Sequence, residues 1–378
     1  MKMRIGIDAI HISRNLKGVG RVERNIVHTL AEATQSHEFV VFLDRDSGEL
    51  GLPQCDSVLY SVNKTKSLIE WEQVRLNRAA RKHKIDCLLT LSDRIPLMFS
   101  GPVVMYLFEI PDRRRELSLE SKGTGFYQRT SDNLTRLVFP TSIERARLIA
   151  VPSKFTANEL QTKYGVLDRK IMVVPAAVSS KFCPQPNSEH RQQVQKHYGA
   201  AEGYILHFFS GDPRENTEVA LRAFSLAQIP EKIKMILVGD GHTDNKSLQR
   251  KIDNMGLNDR VISVGYVSDS DLVDLYQTAD IYIDPSLYEG FGLQVLEAMS
   301  CGVPVLCSNT TSLAEIVGDA AITYKPTDAE AFAGGIEYLV SNPAQANLMS
   351  DAGIRYASNY SWSKTVTQLV DLCEHAID

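Results

Sequence analysis

Two glutamates eight positions apart, Glu289 and Glu297, bracket a glycine turn, Gly290-Phe291-Gly292. Upstream, 281–283 is a short apolar run that reads as a strand leaving a sheet, and from Leu293 onward the pattern is helical. In open α/β sheets, ligands bind at such turns between a strand and the helix that follows. Gly290 and Gly292 let a ligand approach main-chain N–H groups that a side chain would screen. The first helical turn, Leu293-Gln294-Val295-Leu296, carries no carboxylate, although acidic residues are favoured there. A bound anion such as a phosphate takes that role. Glu297 lies about one turn further in, too deep to cap the helix but placed to offer two oxygens to a neighbour such as a ribose diol. Glu289, on the loop, then points toward the far end of a bound diphosphate, where a sugar would hang. The spacing by itself is equally that of two solvated charges beside a turn.

The elements that must position this turn follow from length and pattern. A chain of 378 residues exceeds one ordinary core and points to two domains. With 43% hydrophobic and 23% charged residues, each half can bury a large core. Short apolar runs at 4–7, 39–43, 86–91, 103–107, 148–151 and 171–174 read as buried parallel strands, separated by amphipathic stretches such as 22–33, 68–83 and 154–164. The second half repeats the pattern with strands at 204–209, 234–238, 261–264, 281–283, 303–306 and 321–324. The expected fold is therefore α/β, with two Rossmann-like doubly wound parallel sheets facing an interdomain cleft. Residues near 179–202 lose apolar periodicity and collect Pro184 and Pro186, which reads as a linker. The expected domains are 1–183, completed by a C-terminal helix at 361–378, and 184–360.

Composition excludes several classes. The net charge of −5 lacks the basic excess that nucleic acid demands. The six cysteines are scattered without a C-x-x-C pair, and the histidines form no H-E-x-x-H cluster, so neither a structural nor a catalytic metal is expected. No cofactor is expected. Asp8 interrupts the first apolar stretch too early for a signal peptide, and no run of about 18 apolar residues occurs. The expected location is cytoplasmic, with any membrane contact peripheral and at the inner face. The basic stretch Arg75, Arg78, Arg81, Lys82 and Lys84 suits either an anionic lipid surface or plain solvation.

The string 285–304 resembles the E-x7-E region of the family 4 glycosyltransferases, a retaining group with the two-domain GT-B fold. Agreement includes Pro285, Ser286, Glu289, Gly290, Phe291, Gly292, Glu297, Ala298, Gly302 and Pro304. The likeness continues through 3–30, 146–184 and 204–324 in the family's order. It implies a glycosyltransferase that moves a sugar from a nucleotide-diphosphate sugar, with UDP or GDP favoured, to a hydroxyl of a glycan or lipid-linked acceptor. By resemblance, Glu289 lies by the donor sugar, Glu297 binds the ribose, and amides at Phe291, Gly292 and Leu293 hold the sugar and diphosphate. The retained anomeric configuration also comes from the resemblance. Rival readings are a noncatalytic sugar-nucleotide-binding subunit and a sugar-nucleotide epimerase or hydrolase of the same fold.

Further positions carry over one at a time. Gly18-Val19-Gly20-Arg21 matches the N-terminal glycine loop that closes on the donor, which assigns Gly18 and Gly20 to donor binding. Gly211-Asp212-Pro213-Arg214-Glu215-Asn216 resembles the diphosphate loop, where Gly211 binds the donor and Arg214 stabilises charge on the leaving diphosphate. Many members carry a lysine where Glu215 stands and an arginine around 209–211, and both are absent here. Main-chain groups around Val267 and the loop Gly239-Asp240-Gly241 would seat the base. After the strand at 103–107 the family usually has a His-Asp pair, but this chain reads Tyr106-Leu107-Phe108-Glu109. Tyr106, Glu109 and Arg113, the first of three arginines, are therefore the acceptor-side candidates.

Overall fold

The computed structural model describes residues 2–14, 18–32, 37–112, 126–185, 187–239 and 246–377, with backbone only at 126–134. The chain divides into two compact units. One comprises Met1–Glu116, Lys122–Ala177 and Tyr360–Asp378, and the other Leu117–Ser121 and Val178–Asn359.

In the first unit, β1 (Arg4–Asp8), β2 (Glu38–Leu43), β3 (Val58–Val62), β4 (Cys87–Thr90), β5 (Val103–Tyr106), β6 (Leu148–Val151) and β7 (Ile171–Val173) form one sheet in the order β3-β2-β1-β4-β5-β6-β7. Every pairing is parallel. Central strands are buried on both faces, as the continuous apolar runs demand. The sequence reading gives six strands here, and the structure adds β3 at the edge. Leu59 and Val62 of that strand are 54% and 42% exposed, so it lacks the buried apolar run that marks the central strands. Gly6 on β1 is fixed by packing, since a Cβ there would meet Phe42 at 2.8 Å and Ile85 at 2.9 Å.

The terminal helix Trp362–Ile377 belongs to this unit and packs on β4, β5, β6 and the Val19–Glu32 helix. Val366, Leu369, Leu372, Cys373 and Ala376 form its buried stripe. Thr365 donates to the Pro175 carbonyl at 2.7 Å, and His37, which accepts from the Met3 amide through Nδ1, meets Glu374 through Nε2 at 2.6 Å.

The second unit holds β8 (Tyr204–Phe208), β9 (Lys234–Val238), β10 (Val261–Gly265), β11 (Ile281–Asp284), β12 (Val305–Ser308) and β13 (Ile322–Tyr324) in the order β10-β9-β8-β11-β12-β13, again all parallel. Both sheets reverse their strand order beside the first strand of the unit, at β1/β4 and at β8/β11. Loops leaving the carboxyl ends of those strands diverge there and open a crevice.

Candidate functional site

β11 ends at Asp284, whose Oδ1 accepts from the Ser286 amide at 3.2 Å and from the Ser286 hydroxyl. This turns the chain out of the sheet. The Leu287 amide then donates to the Arg214 carbonyl at 2.7 Å, tying the β11 loop to the β8 loop. Asn216 strengthens the tie. It sits in the left-handed region at φ +54°, and its Nδ2 donates to the Pro285 and Pro326 carbonyls at 2.9 and 2.6 Å.

Glu289 is half-buried, and its main chain is clamped on both sides. Its amide donates to Thr311 Oγ1 at 3.2 Å, and its carbonyl accepts from Ser312 Oγ at 2.7 Å. Thr311 holds φ +57°, a region that β-branched residues avoid, so backbone strain is spent at this clamp. Gly292 precedes the helix Leu293–Ser300 at φ +98°, and a Cβ on it would lie 2.5 Å from Leu313 Cδ2. The helix has no acidic residue in its first turn and no side-chain cap, so its N-terminal amides face the turn as an anion site would require. Glu297 on this helix is buried. Burial drives the Tyr282 hydroxyl well above its ordinary range, and the charges of Asp284, Glu289 and Glu297 add to the effect, so these carboxylates share one neighbourhood.

The β8 loop binds the side chains of Arg214 and Glu215 to its own residues. Arg214 grips Asp212 through Nε at 3.0 and 3.1 Å and Nη2 at 2.7 Å, while its amide donates to Asp212 Oδ1 at 3.0 Å. Glu215, in the family's lysine position, takes the Ser210 amide at 2.7 Å on Oε2 and meets the Ser210 hydroxyl at 2.5 Å on Oε1. Burial pushes its carboxyl up to about 7. Gly211 is exposed at φ +84° with open space where a Cβ would stand. The adjoining loops close behind it. The Gly239 amide donates to the Gly265 carbonyl at 2.9 Å, and a Cβ on Gly239 would stand 2.3 Å from the Phe209 carbonyl oxygen. Val267 lies half-buried two residues beyond β10.

Thus Gly211, Arg214, Glu289, Gly290, Phe291, Gly292, Leu293 and Glu297 gather at the β8/β11 switch point, with Val267 at the neighbouring β10 end. Asp240 and Gly241 lie outside the described residues. Sequence reasoning missed the Thr311-Ser312 clamp and the Ser210–Glu215 pair. The absent lysine was the signal for the latter.

In the first unit, Gly18 holds φ +50° and its carbonyl accepts from the Arg21 and Val22 amides at 3.1 and 3.2 Å, while Gly20 is buried in the first turn of Val19–Glu32. Tyr106 corrects an expectation. It is fully buried, and its hydroxyl donates to the Val174 carbonyl at 2.8 Å, which makes it a core strut rather than an acceptor contact. Glu109 is half-buried beyond β5, next to Phe108, whose ring packs 4.7 Å from that of Tyr106. Arg113 lies outside the described residues.

The β1/β4 switch point carries buried titratable side chains. Asp8 accepts from Trp71 Nε1 at 2.8 Å, and burial raises its carboxyl to about 6. Glu23 takes the Ile12 amide at 3.0 Å, and burial lifts it well above its ordinary range. Glu72 and Arg94 form a buried bidentate pair at 2.9 and 3.0 Å. Burial holds the neighbouring His11 down to about 4. Among the described residues, no group of three or more His, Cys, Asp or Glu could hold a metal ion.

Known proteins resemble the chain along most of its length. The model for Glycosyltransferase Family 4 matches residues 16–182, and that for Glycosyl transferases group 1 matches residues 191–356. O-antigen chain mannosyltransferase B of Escherichia coli is 33% identical over 232 residues, which cover 61% of each chain. Serotype-specific mannosyltransferase WbdA of the same organism is 28% identical over 60% of this chain but only 29% of its own length. The chain therefore spans less than two thirds of these curated relatives. Among solved structures, Anabaena Alr3699/HepE in complex with UDP and glucose superposes with a TM-score of 0.75 at 17% identity, covering 99% of this chain and 100% of that one. Sucrose-phosphate synthase from Thermosynechococcus elongatus gives 0.77 at 18% identity, covering 99% of each. These two show the GT-B fold. With one family model on each half of that fold, and the Glu289–Glu297 turn seated at the switch point of the second sheet, the chain belongs to the family 4 glycosyltransferases.

Proposed function

We propose that the protein is a retaining, metal-independent glycosyltransferase that moves a hexosyl unit from a nucleotide-diphosphate sugar to a hydroxyl of a glycan or lipid-linked acceptor. The observation that carries this reading is the Glu289–Glu297 turn, held at the β8/β11 switch point and tied to the Arg214 loop through Leu287. The diphosphate sits against the Leu293 helix terminus and the Gly211–Arg214 backbone. Glu297 takes the ribose hydroxyls, and Glu289 stands by the sugar.

In the reaction the bond from the anomeric carbon to the phosphate oxygen breaks, and a bond to the acceptor oxygen forms on the same face. The acceptor proton passes to the leaving phosphate oxygen, while Arg214 and the helix amides offset the charge that gathers there. The relatives' names favour a mannosyl donor and an O-antigen type of acceptor. UDP and GDP donors are both consistent with the main-chain character of the base site around Val267. No described helix is long and apolar enough to cross a membrane. Peripheral attachment at the cytoplasmic face fits the exposed Arg75, Arg78 and Lys82, together with Arg81, whose guanidinium braces the carbonyl of the 67% exposed Met98 at 2.7 Å.

Screening UDP-, GDP- and ADP-sugars by thermal shift identifies the donor, since a ligand of the folded state raises apparent stability. Transfer of the labelled sugar to glycan acceptors, with the anomeric configuration read by NMR, tests the rest. An inverted product overturns retention, and dependence on an added divalent ion overturns metal independence. A second reading, a noncatalytic sugar-nucleotide-binding subunit, is favoured by one observation: Arg214 is already engaged by Asp212. Donor binding without turnover on any acceptor would support it.

A further inference from the structure

The loop 209–216 bears one arginine, one aspartate and one glutamate, and the first two neutralise each other. A donor diphosphate brings two negative charges to this loop. At the place where relatives present a cation, the chain instead presents the Ser210 hydroxyl, half-buried and joined to Glu215. A serine hydroxyl has a single proton to donate. If Glu215 is ionised, its two oxygens accept the Ser210 N–H and O–H, and the hydroxyl has nothing left for a ligand. If Glu215 is protonated, Oε2 still accepts the N–H, while the Oε1 proton is donated to Ser210 Oγ. The hydroxyl is then released to donate outward.

We propose that Glu215 works as a neutral acid in the donor loop, and that its proton frees the Ser210 hydroxyl to bind a donor phosphate oxygen in place of a cation. Glu215 is thus a positioning residue, acting through Ser210. The surroundings favour this state. Asp212 in the same loop and Asp284 at the end of β11 both oppose a charge on Glu215, and Arg214 is turned to Asp212. His207 on β8 offers no positive charge either, being buried between the Ile283 carbonyl at 2.9 Å and Thr217 Oγ1 at 3.0 Å and held low by that burial. The incoming diphosphate adds repulsion of the same sign, so donor binding at alkaline pH draws a proton onto Glu215.

This inference rests on the donor-binding reading above, and the test separates the two. GDP-mannose and UDP-glucose, whose diphosphates do not titrate between pH 6 and 8.5, are bound to the full chain in a calorimeter at several pH values and in buffers of different ionisation enthalpy. The wild type is expected to lose affinity above neutrality by a factor approaching about tenfold per pH unit, and to take up about one proton per donor at pH 8.5. Glu215→Gln reproduces the neutral acid, with an amide N–H for Ser210 Oγ, and is expected to bind with a flat pH profile and no proton uptake. Ser210→Ala is expected to weaken binding about tenfold at pH 6 and to approach the wild type at pH 8.5. A shared pH profile for wild type and Glu215→Gln overturns the proposal, as does undiminished binding by Ser210→Ala at pH 6. Absence of binding by both sugar nucleotides at every pH, and by the ADP-sugars of the thermal-shift screen, overturns the donor-binding reading and the proposal with it.

Discussion

Glu289 and Glu297 stand in different surroundings, and the difference decides what each substitution does. Glu289 is half-buried on a loop whose main chain Thr311 and Ser312 clamp, so Glu289→Gln keeps the loop and removes only the charge that we propose stands beside the sugar. It is expected to lower kcat by about 10²–10³ while donor KM shifts less than about threefold. Glu297 is buried on the helix, and Glu297→Ala is expected to act mainly through donor KM, raising it about tenfold or more. Steady-state kinetics at varied donor separate the two, and the reverse partition would exchange the roles. The turn that carries both glutamates and their glycines was legible in the sequence as a strand-to-helix connection because it lies in one contiguous segment. Tyr106 was not, since a tyrosine closing an apolar run looks the same whether its hydroxyl meets solvent or the Val174 carbonyl. Thr311 was hidden for a related reason: its φ of +57° and its bond to the Glu289 amide, 22 residues away in the chain, leave no local pattern.

At the scale of elements, the helix Leu293–Ser300 depends on one residue for its entry. Gly292→Ala would hold a side chain at φ +98° and drive a methyl into Leu313. The second unit is expected to lose about 2–4 kcal/mol, from left-handed strain plus overpacking. Denaturant unfolding measures this, and an unchanged midpoint would mean that the turn is not built as described. On the proposed donor-binding reading, donor affinity is expected to fall in the same variant, because the helix amides assigned to the diphosphate would no longer share one geometry. The strands of the second sheet were all legible as short apolar runs, buried at the centre and partly exposed at the edges β10 and β13. β3, at the edge of the first sheet, was missed, and only Val58 of its five residues is buried.

At the scale of the molecule, raised carboxyl pKa values set the direction in which stability moves with pH above about 6.5, where the histidines have finished titrating in the unfolded chain. Asp8 is lifted from 3.8 to about 6 and Glu215 from 4.5 to about 7, and Glu23 moves the same way. A raised acid contributes stability in full below its unfolded value and loses it as pH climbs through the folded one. Glu70, lowered to about 2 by the Lys66 amide and Arg75, acts only in more acidic solution. His11, held down to about 4, and His207, lowered by burial, work the opposite way below about pH 6.5, so the melting temperature is expected to fall between about pH 6.5 and 7.5, with a smaller decline in Glu215→Gln. Scanning calorimetry across that range checks it, and a rising curve for the wild type would contradict it.

The placement of the helix Trp362–Ile377 on β4, β5 and β6 also bears on the order of events at the ribosome. The segment 178–359 of the second unit is continuous, so it can assemble as soon as it emerges, whereas the first sheet must wait for a cover made almost two hundred residues after β7. The half synthesised first is thus the half finished last. Nascent chains stalled with residue 359 just outside the exit tunnel are expected to show a protease-resistant second unit beside a first unit that is still cut.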